Sequence, residues 1–406
     1  MLNKSRLSEK YPDAESNLLG VEKYLNNQLQ DEVVINIPQD KDCLISVVTP
    51  VYNEDLSVIL KQLISIVGQK NISPNTFEVI YIVNNSSKAN PEVIAKNTDI
   101  LQLPIWKNRD TLANDEDYRY VTKAQVNELR HFNLFAIDKS SPGNEIPDCN
   151  VGKARNRGIS EAVRRFFTND RDGLIFQIDA DSYYPDQTYF SRVIELFKEN
   201  PRMVALCGGV ELYFDVEKYT DDEKKRAKTD VSLLCDYLRW KSLKFLLLGK
   251  SFIYDDDFMS GPNMIAKCFP TAIVHGVPDI RRAEDVAYGE RLQLFAEKYN
   301  LQYSICGAKD LFQVYTLLRL SGGLSNNIGV NIKNDDSSLM YTHDDEGKLV
   351  FKPYPYETAI IKPIPELYSE FKQLALDNLE AKFKEKIDRF EEKIEANEQF
   401  LLQQLK

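Results

Sequence analysis

Apolar and polar positions alternate along this chain in blocks of two distinct periods. Cys43 to Thr49 and Glu78 to Val83 are short, mostly apolar runs, the pattern of strands buried on both faces of a parallel sheet. Leu56 to Val67 lies between them with apolar residues at helical spacing, so strand, helix, strand opens a parallel sheet with a right-handed crossover. Pro50 is expected to stop the first strand, and Asn84-Asn85-Ser86-Ser87 to end the second. An amphipathic helix is expected around Ala14 to Leu29, another from about Gly152 to Phe167 and a third over Tyr189 to Lys198. A strand is expected over Met203 to Phe214, an amphipathic helical stretch over Asp215 to Asp257, and a helix-like run over Phe312 to Leu320.

Two stretches depart from this alternation. Residues 98–150 are irregular and rich in Asn, Asp and Pro, with short strand-like pieces such as Leu134 to Ile137, and read as an insertion or long connection. Glu366 to Lys406 contains neither Gly nor Pro and is dense in Glu, Lys, Leu and Phe. Ile387, Phe390, Ile394 and Leu401 fall near helical spacing there, with Asn397 interrupting the heptad. A helix packed on its own domain and a helical hairpin or short coiled coil for homo-oligomer formation both fit that pattern. The organisation expected is a partly helical leader over 1–42, a main α/β domain over 43–362 and a helical extension over 363–406. Within the main domain, a first half runs to about residue 185 and a second half follows it.

The 406 residues are 43% hydrophobic and 28% charged, enough to bury a large core. A net charge of −11 argues against nucleic acid as a partner, because phosphates need a basic face. It does not exclude a diphosphate ligand, whose pocket takes its local charge from a cation and a few basic side chains. The six cysteines are scattered without a C-x-x-C, which suits a reduced protein with small core thiols. Met1 to Asp42 has no signal-peptide pattern, and the apolar run Phe245 to Leu248 is too short to span a bilayer. The expectation is a cytoplasmic protein with no transmembrane segment, a peripheral membrane contact being left open.

The chemistry concentrates where Phe176-Gln177-Ile178 runs into Asp179-Ala180-Asp181. An apolar strand ending this way delivers two carboxylates to the carboxyl edge of a sheet, where open α/β sheets bind ligands. Carboxylates are hard ligands suited to Mg²⁺ or Mn²⁺ shared with a diphosphate. A solvated turn or an Asx cap is the plainer use of the same residues.

Three further segments fall around this pair: Val47 to Glu54, a strand opening into a polar loop; Gly152-Lys153-Ala154-Arg155-Asn156-Arg157-Gly158; and Arg282-Ala283-Glu284-Asp285 followed by Gly289-Glu290-Arg291-Leu292. In this order the four segments resemble the family-2 glycosyltransferases of the GT-A fold, over roughly Cys43 to Gly323. The resemblance implies a mixed, mostly parallel, Rossmann-like sheet flanked by helices. It also implies a metal-dependent, inverting transfer of a sugar from a nucleotide-diphosphate sugar to an acceptor hydroxyl. The acceptor class (glycan, lipid-linked sugar, small molecule or protein) stays open.

The resemblance also implies roles residue by residue. Asp179 and Asp181 hold Mn²⁺ or Mg²⁺, and Asp179 also meets the donor. Pro50, Tyr52 and Glu54 border the donor, and Asn84 stands where the family commonly places an acidic pair. An amide both donates and accepts, whereas a carboxylate only accepts, so Asn84 and Asn85 read equally as turn formers or base contacts. Arg155 meets the nucleotide side; a solvated basic face is the plainer reading for Lys153 and Arg157, and Asn156 fits between helix and sheet. Asp285 is the candidate general base, a role that competes with simple stabilisation of a helix N-terminus. Gly261-Pro262-Asn263-Met264-Ile265 resembles the segment that precedes this motif in the family.

Three other features are weighed. Arg319, before Gly322-Gly323, fits a loop closing over diphosphate or a helix end. His343 is a candidate further metal ligand, with an ordinary polar loop as the alternative. His275 suits a turn or a substrate contact, His131 a structural role, and Asp255-Asp256-Asp257 a solvated run. Two rival functions remain: a sugar-phosphate nucleotidylyltransferase and a catalytically inactive GT-A scaffold. The first would carry glycines in the loop at Pro50 to Glu54, which has none.

Overall fold

The computed structural model describes residues 11, 14–29, 35–109, 123–213, 259, 261–279, 284–305, 308–317, 341–343 and 349–351. In chain order the helices are α1 (Ala14–Leu29), α2 (Leu56–Val67), α3 (Pro91–Leu101), α4 (Lys123–Leu129), α5 (Val151–Thr168), α6 (Tyr189–Glu199), α7 (Cys268–Ile273), α8 (Glu284–Lys298) and α9 (Ala308–Leu311). The strands are β1 (Ile45–Val51), β2 (Phe77–Asn84), β3 (Asn133–Lys139), β4 (Leu174–Gln177), β5 (Ser182–Tyr183), β6 (Ala205–Cys207), β7 (Gly209–Tyr213), β8 (Met264–Lys267), β9 (Gln313–Leu317), β10 (Tyr341–His343) and β11 (Leu349–Phe351). The chain divides into two units, Met1–Glu211 with Asp256–Thr316, and Leu212–Asp255 with Leu317–Lys406. In the second unit, β10 and β11 pair as an antiparallel ladder, with His343 opposite Leu349. The stretches 215–257 and 363–406, expected to be helical, lie outside the described residues.

The first unit is built on a six-stranded sheet in the order β3-β2-β1-β4-β8-β6. β1 pairs in parallel with β2 and β4, and β2 with β3, whereas β8 runs antiparallel to both β4 and β6. This is a mixed, mostly parallel sheet flanked by helices, the architecture the family resemblance implies, and its parallel β1-α2-β2 opening is the part the apolar pattern predicts. Both faces are covered, which explains why β1 and β2 are apolar almost throughout. Val47, Val79 and Tyr81 face one core with residues of α2, α3 and α6; Val48, Ile80 and Ile82 face the other with α1, α5, α7 and α8.

Several elements differ in detail from the sequence expectation. β1 continues through Pro50 to Val51, with Pro50 in register with Ile82. The Val48 carbonyl accepts from Ile178 on the β4 side, and Pro50, two residues on, faces that same side. β4 pairs with β1 only as far as Val48, so the missing proline N–H falls where no ladder bond is required. Within the irregular 98–150 stretch, Asn133–Lys139 is the edge strand of the main sheet; its half-buried ends Asn133, Asp138 and Lys139 shorten the apolar signal. Met203 to Phe214 resolves into β6 in the main sheet and β7 in a three-stranded sheet ordered β5-β9-β7. The run beginning at Phe312 is extended from Gln313 to Leu317 and pairs with β5, where Ser182 Oγ and Thr316 Oγ1 lie 2.8 Å apart.

α5 carries the central part of the site and is fixed at both ends. Asn150 caps it, accepting from the Lys153 N–H at 2.9 Å, and also donates to Asp279 at 2.7 Å. Near its other end, buried Arg165 donates to both oxygens of buried Glu78 on β2, which also accepts from Ser46 Oγ (2.6 Å) and Gln39 Nε2 (2.8 Å). Midway, Gly158 lets the helix lie against the sheet: a Cβ there would come within 2.3 Å of Ile82 and 2.6 Å of Val48. α1 packs on α5 and α7, burying Leu18, Val21 and Tyr24. The Tyr24 hydroxyl donates to Asn156 Oδ1 at 2.8 Å, so Asn156 faces α1.

Candidate active site

The carboxyl ends of β1, β2 and β4 share one edge of the main sheet, and the predicted site residues of the first unit gather along it. Asp179 and Asp181 follow β4, and both are half-buried. Their turn is held from beneath by Gln62 of α2, whose Nε2 donates to the Asp179 and Ser182 carbonyls, the latter at 2.8 Å. The Tyr81 hydroxyl donates to Gln62 Oε1, completing a buried clamp between α2, β2 and the turn.

Arg155 rises from the second turn of α5 and is 1% exposed. Its Nη2 donates to Asp179 Oδ1, and its Nε lies 3.9 Å from Glu284 Oε1. Nε and Nη1 have no hydrogen-bond partner among the described residues, an expensive state for a buried guanidinium and one that an anion would relieve. Gly261 closes over this group: a Cβ there would stand 2.9 Å from Arg155 Nη2. The Gly261 N–H donates to Asp285 Oδ2 at 2.8 Å.

Glu284 and Asp285 occupy the first turn of α8, where the helix dipole favours carboxylates. Burial pushes the Glu284 carboxyl up to about 7; the adjacent Asp285 charge adds to this and Arg155 opposes it. The two pairs, Asp179 with Asp181 and Glu284 with Asp285, are thus joined through one guanidinium. Arg282 lies outside the described residues.

The β1 loop places Pro50 half-buried, Tyr52 exposed at 52% and Glu54 buried. Asn84 is buried, its amide turned so that Nδ2 donates to the carbonyls of Val51 (3.1 Å) and Ile82 (3.3 Å), with Oδ1 facing the Cys149 thiol. Asn85 donates to the carbonyls of Ser86 (3.1 Å) and Ser140 (3.2 Å). Both amides are therefore engaged with the chain's own backbone. Arg157, expected on a solvated face, is buried, with Nη1 3.6 Å from Glu161, because that side of α5 lies under α1 and α7. Lys153 bonds the Pro147 carbonyl at 3.0 Å and lies 3.5 Å from Asp279. His275 is exposed at φ 64°, edge-on to Tyr24 at 6.3 Å.

His343 ends β10 in the second unit, its side chain outside the described residues, as are Arg319 and Asp255 to Asp257. Among the described residues no group of three His, Cys, Asp or Glu side chains stands close enough to cage a metal. Two hard carboxylates at a strand end nevertheless fit a cation of the Mg²⁺ or Mn²⁺ kind, which takes one or two carboxylates and completes its shell with water and phosphate. Cys43, Cys207 and Cys268 are buried cysteines, and Cys149 is half-buried. Among the described residues, no helix is long and apolar enough to cross a membrane.

Gln62 and Asn97 also shape this edge of the sheet, and neither stands out in the sequence as a site residue. Gln62 left a signal, a lone amide on the apolar face of α2 among Ile59, Leu60, Leu63 and Ile66. Asn97 left less, because α3 is more polar throughout.

No family model matches the chain, and no curated protein matches it in sequence. Solved structures give distant likenesses. S. aureus TarS 1-349 is 15% identical, with 67% of this chain and 60% of that one covered and a TM-score of 0.36. A second S. aureus TarS structure is 14% identical, covering 68% of this chain and 36% of that one, TM-score 0.35. The mannosyltransferase PcManGT from Pyrobaculum calidifontis, in complex with GDP-Man and Mn²⁺, is 11% identical over 78% of this chain and 71% of that one, TM-score 0.36. The chain thus spans less than two thirds of either TarS chain. At these identities and scores the likenesses assign this chain neither ligand nor activity.

Proposed function

We propose that the chain is a metal-dependent, inverting glycosyltransferase that takes a sugar from a nucleotide-diphosphate sugar and passes it to an acceptor hydroxyl. The observation that carries this reading is the junction at Arg155, which brings Asp179 after β4 and Glu284 at the start of α8 to one buried guanidinium. Carboxylates on either side of one guanidinium supply the two things this transfer needs, ligands for a cation that meets the diphosphate and a base for the acceptor hydroxyl.

In this reading Asp179 and Asp181 hold the cation, which when bound offsets the charge that grows on the leaving diphosphate. Arg155 holds Asp179 in place and offers its remaining N–H groups to anionic oxygen. Gln62 keeps the turn carrying both aspartates from shifting. Asp285, oriented by the Gly261 N–H, accepts the proton of the acceptor hydroxyl. The acceptor oxygen bonds to the anomeric carbon as the bond from that carbon to the phosphate oxygen breaks, and the nucleoside diphosphate leaves with that electron pair. Attack from the face opposite the leaving group inverts the anomeric centre.

A thermal-shift series tests the donor side. Full-length protein with a nucleoside diphosphate and Mn²⁺ is expected to melt higher than with either alone, since only a ligand of the folded state raises the midpoint. A midpoint unmoved by every nucleoside diphosphate in the presence of Mn²⁺ or Mg²⁺ would contradict the reading.

A further inference from the structure

Asn97 lies in the middle of α3 and is fully buried. Its Nδ2 donates to the Asn84 carbonyl (3.0 Å) and to Asn85 Oδ1 (2.9 Å), and its Oδ1 accepts from the Asn53 N–H at 3.3 Å. One side chain therefore ties α3 to the loop after β1 and to the end of β2. Asn85 carries the tether on to the Ser140 carbonyl beyond β3.

The geometry demands an amide of this size, since two donors and an acceptor must issue from one short planar group. Aspartate would present no donor, and an apolar residue would leave the buried Asn84 carbonyl and Asn85 Oδ1, and the half-buried Asn53 N–H, without this partner. At the loop end of the tether, Asn53 sits at φ 57°, a left-handed conformation that turns the chain away from Tyr52. Asn53 Oδ1 is buried and has no donor among the described residues. The tether thus ends beside exposed Tyr52, in a loop that α3 also holds through the Lys96–Asp55 ion pair at 3.1 Å.

We infer that Asn97 is a positioning residue that sets the gap between the β1 and β2 loops and, through it, which nucleobase the chain prefers. This rests on the nucleotide-sugar reading above, in which these loops border the donor. Asn97 touches no ligand; it acts through Asn53 and the end of β2.

Titration calorimetry on the full chain tests it, with UDP, GDP, CDP and ADP in turn and with inorganic pyrophosphate, all in Mn²⁺. Wild type is expected to prefer one nucleoside diphosphate. Asn97→Ala is expected to weaken that ligand on the order of tenfold, with the preference over the other bases reduced and pyrophosphate binding unchanged. Asn53→Gly keeps the N–H but frees φ, and is expected to shift the preference the same way with a smaller loss. It decides the matter if Asn97→Ala does not fold. Variants that keep the wild-type order and ratio of affinities overturn the inference, as does an equal loss for pyrophosphate, which would mark a merely structural residue. A wild type that binds none of the four nucleotides brings down the donor reading itself, and this inference with it.

Discussion

Arg155 on α5 donates to the Asp179 carboxylate from a position sealed off from solvent, although 24 residues separate the two along the chain. The pair fixes the turn after β4 to the helix beside it. Breaking a buried pair from one side strands the other charge, at a typical cost of about 3–5 kcal/mol. Asp179 keeps partial access to water, so the lower end of that range applies. Arg155→Met is expected to lower the unfolding free energy at neutral pH by about 3 kcal/mol, measured by urea denaturation. Asp179→Asn, which leaves a hydrogen-bond acceptor facing the guanidinium, is expected to cost less. Equal stability of Arg155→Met and wild type would show that the pair contributes nothing.

Glu284 gives the chain a dependence on pH of definite sign. Its carboxyl titrates near 7 in the folded chain against 4.5 as the ordinary value, so the folded state binds the proton more tightly than the unfolded. Its contribution to stability is fully present below about pH 4.5 and is lost as pH rises through about 7. The span corresponds to about 3 kcal/mol at most. Glu284→Gln is expected to remove this component, so the difference in stability between variant and wild type should change between pH 5 and about 7.5 and then level off. Urea unfolding at intervals across that range is the check, and a constant difference would contradict it.

Gln62 holds the aspartate turn by its main chain. Gln62→Leu leaves the Tyr81 hydroxyl and the Asp179 and Ser182 carbonyls without their buried partner. A loss of about 2–3 kcal/mol is expected in chemical denaturation. Mn²⁺-dependent nucleotide binding, followed by calorimetry, should weaken as well, because both carboxylates ride on that turn. Weakened stability with unchanged binding would restrict Gln62 to the core.

Asp285→Asn separates proton transfer from binding. The amide keeps the size of the carboxylate but loses its affinity for a proton, so sugar transfer should fall about 10²–10⁴-fold. Nucleoside diphosphate affinity should stay at the wild-type value, since the proposed mechanism uses Asp285 on the acceptor and not on the donor. Glu284→Gln is expected to be milder. A rate within a few-fold of wild type would place the base elsewhere.

Much of the fold was legible because helix and strand periods are clean over 14–29, 43–83 and 152–198. α1 and α2 run over Ala14–Leu29 and Leu56–Val67, the stretches their apolar spacing marks. Pro50 misled because a proline is tolerable in a strand wherever its neighbour has already ended, which only the pairing of β4 reveals. β3 was obscured by its polar ends, and the residues after Phe312 by an apolar run too short to separate helix from strand. At the site, residue types and their order mark Asp179, Arg155 and Asp285. The lone amide on the apolar face of α2 marks Gln62, but its partners, the Asp179 and Ser182 carbonyls, lie 117 and 120 residues away, and nothing in the polar pattern of α3 sets Asn97 apart. Arg157 was misjudged because α1, from the start of the chain, helps cover that side of α5.

The most direct measurement of the central claim is release of nucleoside diphosphate from a panel of nucleotide sugars by the full chain with Mn²⁺. Wild type is compared with Asp179→Asn/Asp181→Asn. One donor should be turned over, if only slowly to water in the absence of acceptor, and chelator or the double variant should abolish the release while the fold survives. No release from any nucleotide sugar, or release undiminished by both chelator and the double variant, would contradict it.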